Sequence, residues 1–117
     1  MIKIEAVIRP EKINQVTVAL LDVGCGGFHY QNVTGQGRQQ GVEIFTGRGG
    51  QTETRATMPK TIITTVIRDD QKDAVIDAII KAAKTGDEGA IGDGKIFISS
   101  ISDAVRVRTQ ESGNDAI

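Results

Sequence analysis

The sequence predicts an α+β, ferredoxin-like fold in which one antiparallel sheet carries two helices on one face. Three observations support this: an alternating strand pattern opens the chain, a helical pattern follows it, and the same order recurs in the second half. The 117 residues allow one hydrophobic core but not two. We therefore expect a single domain, residues 1–117, with the order β-α-β, a long loop, then β-α-β.

The first half of the chain has the patterns of a strand, a helix and a second strand. Residues 2–8 largely alternate between apolar and polar, the period of a half-buried strand, which ends at Pro10. Apolar residues then recur every three or four positions from Ile13 to Val23, on one face of a helix that the following glycines end. Residues 28–34 are expected to form the second strand.

The second half repeats this order. Residues 61–67 are β-branched throughout, which favours a strand, and Asp69 or Asp70 can cap the helix that follows. Thr85 and Gly86 end that helix, and residues 95–101 and 104–109 are expected to form two further strands. The apolar stripe of this helix consists of Val75, Ile76, Ile79, Ile80, Ala82 and Ala83.

The segment 37–58 between the two halves has five glycines, charges of both signs and no sustained period. Loops of this length without regular structure are usually functional or disordered, although a surface insertion costs little free energy. We expect a mobile loop over 37–58 and a C-terminal tail over 110–117. Docking onto a partner is favoured by the apolar residues of the loop, which are Val42, Ile44, Phe45 and Met58.

Composition argues against several classes of function. Lys and Arg number 14 against 15 Asp and Glu, so the chain lacks the basic excess of nucleic-acid-binding proteins. No run of about 20 apolar residues could span a membrane, and the first ten residues lack the apolar stretch of a signal peptide. Cys25 has no partner cysteine, which favours a reducing cytoplasm. We expect a cytoplasmic protein that neither binds nucleic acid nor inserts into a membrane.

The run from Gly89 to Lys95 is the first candidate site. It has the glycine and lysine spacing of a P-loop, but Ile96 replaces the Ser or Thr that would hold magnesium, and the helix precedes the strand. Gly92 and Gly94 can still present backbone N–H groups to a phosphate, and Lys95 adds a positive charge. The pattern fits a phosphate-binding turn and an ordinary glycine turn equally well.

Two arginines near the end of the sequence are the second candidate. Arg106 and Arg108 are two positions apart, so a strand would place them on one face with Cα atoms about 6.5–7 Å apart. That spacing suits successive phosphates of one nucleotide. A solvated edge strand, with Val105 and Val107 facing inward, is the alternative.

The base of the long loop is the third candidate. Gly35 and Gly37 permit close backbone approach, and Arg38 supplies charge. Gln39 offers an amide oxygen as a magnesium ligand. Gln40 occupies the third glycine position of a dinucleotide fingerprint, so this segment is not that motif.

Catalytic residues are not evident in the sequence. Cys25 and His29 lack the further ligands or the base that a zinc site or a thiol nucleophile needs, so Cys25 is expected to be a packed residue. Glu43 and Glu53 lie in the long loop, where the geometry of a general acid or base is hard to hold. We therefore expect no enzyme activity.

Six short motifs occur in order along nearly the whole chain. They are Ile8-Arg9-Pro10-Glu11-Lys12, residues 35–41, Met58-Pro59-Lys60, Thr85-Gly86, residues 91–97 and residues 106–109. Together they resemble the PII signal-transduction family, the nitrogen-regulatory proteins. The resemblance implies a homotrimer that binds ATP or ADP in the clefts between its subunits.

The resemblance also implies roles for individual residues. The phosphates would lie against Gly92, Asp93, Gly94, Lys95, Arg38, Arg106 and Arg108, some of them from a neighbouring subunit. The base and sugar would lie against Phe28, His29, Gly35, Gly37 and Val66. Magnesium would be held by Gln39, next to 2-oxoglutarate, and the carboxylate of 2-oxoglutarate would meet Lys60.

Several positions depart from the family pattern. The loop contains no tyrosine, which excludes uridylylation of a loop tyrosine. Residues 87–90 lengthen the turn after the second helix, and Gln110 stands where relatives usually have glycine. Gln36 and Gln40 replace residues that are commonly aromatic and basic.

We therefore expect a sensor of nitrogen or energy status that binds ATP or ADP; magnesium and 2-oxoglutarate are further ligands that the resemblance implies, and whether 2-oxoglutarate binds stays open. It would regulate a membrane transporter or a metabolic enzyme through the long loop. The alternatives are a PII-like sensor of a different small anion, a small nucleotide-hydrolysing enzyme and a purely structural trimer.

Overall fold

The computed structural model describes residues 1–36, 43–45, 52–54 and 57–117. Their secondary structure comprises β1 (Ile2–Ile8), α1 (Ile13–Asp22), β2 (Phe28–Gln36), β3 (Glu43–Phe45), β4 (Thr52–Thr54), β5 (Thr57–Ile67), α2 (Lys72–Ala83) and β6 (Gly94–Ser100). Short 3₁₀ turns precede both helices, at Pro10–Lys12 and Asp69–Gln71, and another spans Gly113–Ala116. Among the described residues, no helix is long and apolar enough to cross a membrane.

Four of the strands form one antiparallel sheet in the order β2-β5-β1-β6. The two central strands, β1 and β5, come from different halves of the chain, so neither half can build the sheet without the other. Each helix connects a central strand to an edge strand. This arrangement is the ferredoxin-like fold, and the sequence-based prediction of the fold class is confirmed.

The core lies between the helices and one face of the sheet. Ile4, Ala6 and Ile8 of β1 are at most 1% exposed, and the alternation of the strand places Val7 on the opposite, open face. The helices contribute four fully or almost fully buried side chains, which are Val16, Leu20, Val75 and Ile79. The predicted apolar faces are therefore confirmed at their centres. The predicted apolar faces were too broad at their margins, since the side chains of Val23 and Ile80 are 37% and 47% exposed.

The segment between the halves has more regular structure than the sequence indicated. Strands β3 and β4 pair with each other, and β5 begins at Thr57, inside the predicted loop. The ladder between β2 and β5 runs to the pair Gln36–Thr57, which satisfies backbone hydrogen bonds whatever the side chains are. The prediction of a loop without regular structure over 37–58 was wrong at these positions. Residues 37–42, 46–51 and 55–56 of that loop lie outside the described residues.

The last predicted strand, over 104–109, was wrong. Val105 forms one isolated bridge with Ser112, and residues 107–109 form a turn. Val105 and Val107 are 62% and 96% exposed, so the expected inward face is absent. The chain reverses at Gln110, whose N–H donates to the carbonyl of Arg106 at 2.8 Å, before a strand can extend.

The predicted caps of the second helix were also wrong. Asp69 forms an ion pair with the amino group of Met1 at 3.0 Å, and Asp70 pairs with Arg68 at 3.3 Å. The Gln71 side chain accepts a hydrogen bond from the backbone N–H of Arg68 at 3.1 Å instead. A 3₁₀ turn therefore starts the helix, and both aspartates serve contacts outside it.

Candidate functional site

The glycine and lysine turn between α2 and β6 is built around the carboxylate of Asp93. Its Oδ2 accepts the backbone N–H groups of Thr85 at 2.9 Å and Ala90 at 2.8 Å. Its Oδ1 accepts the Thr85 hydroxyl at 2.6 Å and Arg9 Nε at 3.0 Å. Arg9 Nη2 also donates to the carbonyl of Ile91 at 2.9 Å. Asp93 therefore fixes the shape of the turn through four hydrogen bonds within the chain.

These contacts also set the protonation of Asp93. Partial burial of the carboxyl group raises its pKa, but the hydrogen bonds from Thr85, Ala90 and Arg9 together outweigh burial and hold the pKa well below its usual range. The group therefore remains a carboxylate, and a pure acceptor, throughout the physiological pH range.

The glycines of this turn are required by its backbone. Gly92 and Gly94 have φ angles of 99° and 128°, in the region that side chains rarely adopt. A Cβ atom on Gly94 would overlap the carbonyl oxygen of Val7, because β6 starts here directly against β1. The close approach places Lys95 next to Val7 in the ladder, on the open face of the sheet.

Lys60 links the turn to the centre of the sheet. Its Nζ donates to the carbonyl of Gly92 at 2.6 Å. The pKa of Lys60 is lowered, mainly by burial and to a smaller extent by the positive charge of Arg9. The negative charges of Glu11 and Asp93 act in the opposite direction. The lysine that was expected to meet a small acid therefore lies at the glycine turn, in contact with its backbone.

A cleft of about 820 Å³ lies on the open face, beside this turn. It brings together six of the predicted site residues, which are Gly35, Lys60, Gly92, Asp93, Gly94 and Lys95. Phe97 and Met58 add apolar surface to its wall. Gly35 itself is not in the left-handed region, and a Cβ there would be in ordinary contact with Lys60 at 3.8 Å. The cleft combines cationic groups with a glycine turn, a combination suited to a phosphate or a carboxylate.

Three of the five residues predicted for the base and sugar line a different cleft, of about 580 Å³, whereas Gly35 lines the first cleft and Gly37 lies outside the described residues. Phe28, His29 and Val66 belong to it, as do Ala116 and Ile117. It lies at the far end of the β2–β5 ladder, roughly 23 Å from Gly35 by seven strand steps of about 3.3 Å. Within the described residues, one chain therefore does not bring Phe28, His29 and Val66 into one site with the phosphate residues predicted at 92–95.

Cys25 also lines this second cleft. It is 4% exposed, and its Sγ lies 3.2 Å from Thr65 Oγ1. The prediction that Cys25 is a packed residue is confirmed.

The predicted arginine pair has a different geometry from the one expected. Arg106 and Arg108 line neither of these clefts. Arg106 Nη1 pairs with Glu111 Oε1 at 3.0 Å, and Arg108 lies in the turn that replaces the predicted strand. The two guanidinium groups therefore do not share the face of a strand. Gly37, Arg38 and Gln39 lie outside the described residues, so their predicted roles stay predictions.

Sequence reasoning assigned no site role to Arg9 or Thr85, the two side chains that hold Asp93. Arg9 lies 84 positions from Asp93, and no periodicity or spacing rule connects residues so far apart. Both residues occur in motifs that resemble the PII family, Arg9 in residues 8–12 and Thr85 in Thr85-Gly86. That resemblance was the one available signal, and it did not indicate which residues they contact.

Several known proteins that are similar to this chain share one family description. The family model described as "Nitrogen regulatory protein P-II" matches residues 1–111. "Nitrogen regulatory protein P-II 2" of Methanothermobacter thermautotrophicus is 46% identical over all of this chain and 97% of its own length. "Nitrogen regulatory protein P-II" of Bradyrhizobium diazoefficiens is 47% identical, and that of Pyropia yezoensis is 43% identical, over all of both chains in each case.

Proposed function

The chain belongs to the nitrogen regulatory protein P-II family, and from that membership we propose that it is a cytoplasmic signalling protein that binds ATP or ADP between the subunits of a homotrimer. The glycine turn and the two clefts supply the physical support for the part of this proposal that concerns nucleotide binding.

The observation that carries the proposal is the division of the site into two parts. The turn from Gly92 to Lys95 and the side chain of Lys60 line one cleft, called the phosphate cleft below. Phe28, His29 and Val66 line another, called the base cleft, at the opposite end of β2. Neighbouring copies arranged in a ring bring unlike surfaces of one chain together, because such an interface is heterologous. The phosphate cleft of one copy would then face the base cleft of the next.

The phosphates would be held mainly at the turn. Its backbone is fixed in advance by Asp93, so little ordering is needed when an anion binds. Lys95 supplies a positive charge, and Arg106 and Arg108 would add guanidinium groups, from the neighbouring copy or from the same one. Arg38 and Gly37, at the base of the loop, would complete the contacts.

Two further ligands belong to the proposal. Magnesium would be bound between the phosphates and Gln39, whose amide oxygen is a suitable hard ligand. The carboxylate of 2-oxoglutarate would bind Lys60, beside the turn. Because Lys60 already contacts the carbonyl of Gly92, occupancy by a small acid would alter the same turn that holds the phosphates.

The output would be transmitted by segment 37–58. This segment connects β2 and β5, whose ends line the phosphate cleft, so a ligand there acts at the base of the segment. The target would be a membrane transporter or a metabolic enzyme. A near-complete switch between two states requires ligands that differ in affinity for those states by about 5.5 kcal/mol.

Sharing of the site between copies is tested by mixing two defective variants. Lys95→Ala removes the positive charge beside the turn, and Arg108→Ala removes one guanidinium group. Each variant alone should bind ATP weakly. If a site uses the turn of one copy and Arg108 of another, co-refolding equal amounts should restore about a quarter of the sites. If both residues act within one chain, every site keeps a defect and the mixture binds no better than its components.

Catalysis is not part of the proposal. The same preparations should release no phosphate from ATP beyond the rate in buffer. Steady release that disappears in Lys95→Ala would establish a hydrolase instead.

A further inference from the structure

The turn near the end of the chain contains an ion pair that the proposed function does not use. Arg106 Nη1 donates to Glu111 Oε1 at 3.0 Å, with 40% and 45% of the two side chains exposed. The backbone holds the two residues together, because the N–H of Arg106 donates to the carbonyl of Glu111 at 2.9 Å. The carboxylate therefore stands beside Arg106 as a consequence of how the chain turns.

We propose that Glu111 is a specificity-determining residue whose carboxylate weakens nucleotide binding in proportion to the negative charge of the nucleotide. This inference rests on the proposed function, in which Arg106 contacts phosphates. Glu111 would thereby lower the affinity for ATP more than for ADP, and for ADP more than for AMP.

The neighbouring arginine shows that this pairing is specific to Arg106. Arg108 is exposed and has no hydrogen bond or ion pair within the part of the chain that the structure describes. Its charge is thus available in full to an anion, whereas the charge of Arg106 is offset by a carboxylate in direct contact. Within the described residues, only Arg106 is paired with a carboxylate that competes with the phosphate.

Glu111 has two opposing effects on a phosphate at Arg106. It restricts the guanidinium group, which favours binding, but an exposed pair of this kind is worth at most a factor of about five. It also repels the phosphates, by a factor of about 1.5 for each unit of charge at roughly 7 Å in physiological salt. Repulsion grows with the charge of the ligand and the orienting effect does not, so the two can be separated by experiment.

The test is Glu111→Gln, which keeps the shape of the side chain and an oxygen that can accept from Arg106. Calorimetric titrations of the full chain with ATP, ADP, AMP and adenosine, without magnesium, should show a graded gain. Because the amide oxygen of Gln can still orient the guanidinium group, we expect affinity to rise about fivefold for ATP, about threefold for ADP and about twofold for AMP, with no change for adenosine. All three gains should increase at low salt, because screening is weaker there.

Two matched variants control for other causes. Asp73→Asn, on α2, removes the same charge from a carboxylate that has no contact with Arg106, and it should change no affinity. Glu111→Asp keeps the charge and alters the reach of the side chain, so it should give no graded gain. A gain in Glu111→Asp equal to that in Glu111→Gln would assign the effect to geometry and overturn the proposal.

The possible failures are distinguishable. If the unaltered chain binds no nucleotide, the proposed function itself is wrong. If the unaltered chain binds ATP but Glu111→Gln binds it equally or more weakly, the proposed function stands and the role of Glu111 is overturned. A gain of the same size for ATP, ADP and AMP would also overturn it.

Discussion

Arg9 and Asp93 form an ion pair between the end of the first strand and the glycine turn 84 positions later, with Arg9 Nε 3.0 Å from Asp93 Oδ1. The side chains are only 20% and 18% exposed. Because Arg9 also reaches the carbonyl of Ile91, one guanidinium group holds two points of the turn.

Replacing Arg9 with lysine should loosen the turn. An ammonium group at the end of a flexible stem cannot occupy both guanidinium positions at once, so one contact to Asp93 or Ile91 is lost. We expect the free energy of unfolding to fall by about 1–2 kcal/mol. Urea unfolding at a fixed chain concentration measures this, since the stability of an oligomer depends on concentration.

Arg68→Lys is the matched control for this change. Arg68 also pairs with an aspartate, Asp70, but the pair is exposed, and such pairs contribute about 0–1 kcal/mol. Equal effects of the two substitutions would show that Arg9 does not hold the turn.

The stability supplied by the Asp93 carboxylate should depend on pH in the acid range. Its pKa in the folded chain lies below the unfolded value of about 3.9, so folding favours the ionised form. This contribution is complete above about pH 5 and is lost as the pH falls through 3.9 and below. The stability difference between the unaltered chain and Asp93→Asn should therefore be constant from pH 8 to 5 and shrink below about pH 4.

The measurement is urea unfolding of both proteins at a series of pH values. Asp70→Asn serves as the control, because Asp70 has a single exposed partner. A difference between the unaltered chain and Asp93→Asn that stays constant to pH 3 would contradict the low pKa of Asp93.

Gln110→Gly should stabilise the protein. Gln110 has a φ angle of 61°, and it is the one non-glycine residue with a positive φ among the described residues. A side chain in this conformation costs about 1–2 kcal/mol, part of which is offset by the greater freedom of glycine in the unfolded chain. We expect a net gain of about 0.5–1 kcal/mol in thermal or urea unfolding.

Gln31→Gly, in the extended strand β2, is the control, and it is expected to destabilise the protein. Glycine there has no conformational advantage and should cost about 0.5–1 kcal/mol. Destabilisation by both substitutions would show that Gln110 is not strained.

Gly94→Ala should be among the most damaging small substitutions in the chain. The added methyl group would overlap the Val7 carbonyl oxygen, and the φ angle of 128° is unfavourable for alanine. Separating β6 from β1 to relieve the overlap should cost more than about 3 kcal/mol. Gly26→Ala is the control, because nothing lies within 4 Å of the new atom and its φ is not positive.

The expected readout is unfolding at a much lower urea concentration for Gly94→Ala and little change for Gly26→Ala. Similar midpoints for the two would mean that β6 can move away from β1 at low cost.

Local patterns allowed most of the fold to be predicted from the sequence. The alternation from Ile2 to Ile8 and the helical spacing of Val75 and Ile79 each reflect burial by a single element, so a short window of sequence reports them. The strand expected at 104–109 failed for the converse reason. There, the pairing of Arg106 with Glu111 and the positive φ of Gln110 determine the path, and neither has a period.

The candidate site could be predicted as a set of residues but not as an arrangement. The turn from Gly92 to Lys95 was identifiable because its glycines are required locally. Its contacts with Arg9 and Lys60 were not, since these side chains reach it from positions 84 and 32 residues away in the sequence. Nor could spacing indicate that Phe28 and Val66 line a separate cleft, which depends on the register of β2 and β5.

The central claim is that this protein senses adenine nucleotides, and calorimetric titration of the purified chain with ATP and ADP tests it most directly. We expect saturable binding near one nucleotide per chain, strongly weakened in Lys95→Ala and changed for ATP when magnesium and 2-oxoglutarate are added. Absence of binding by either nucleotide, under conditions in which the protein is folded, would contradict the claim and leave only the P-II fold.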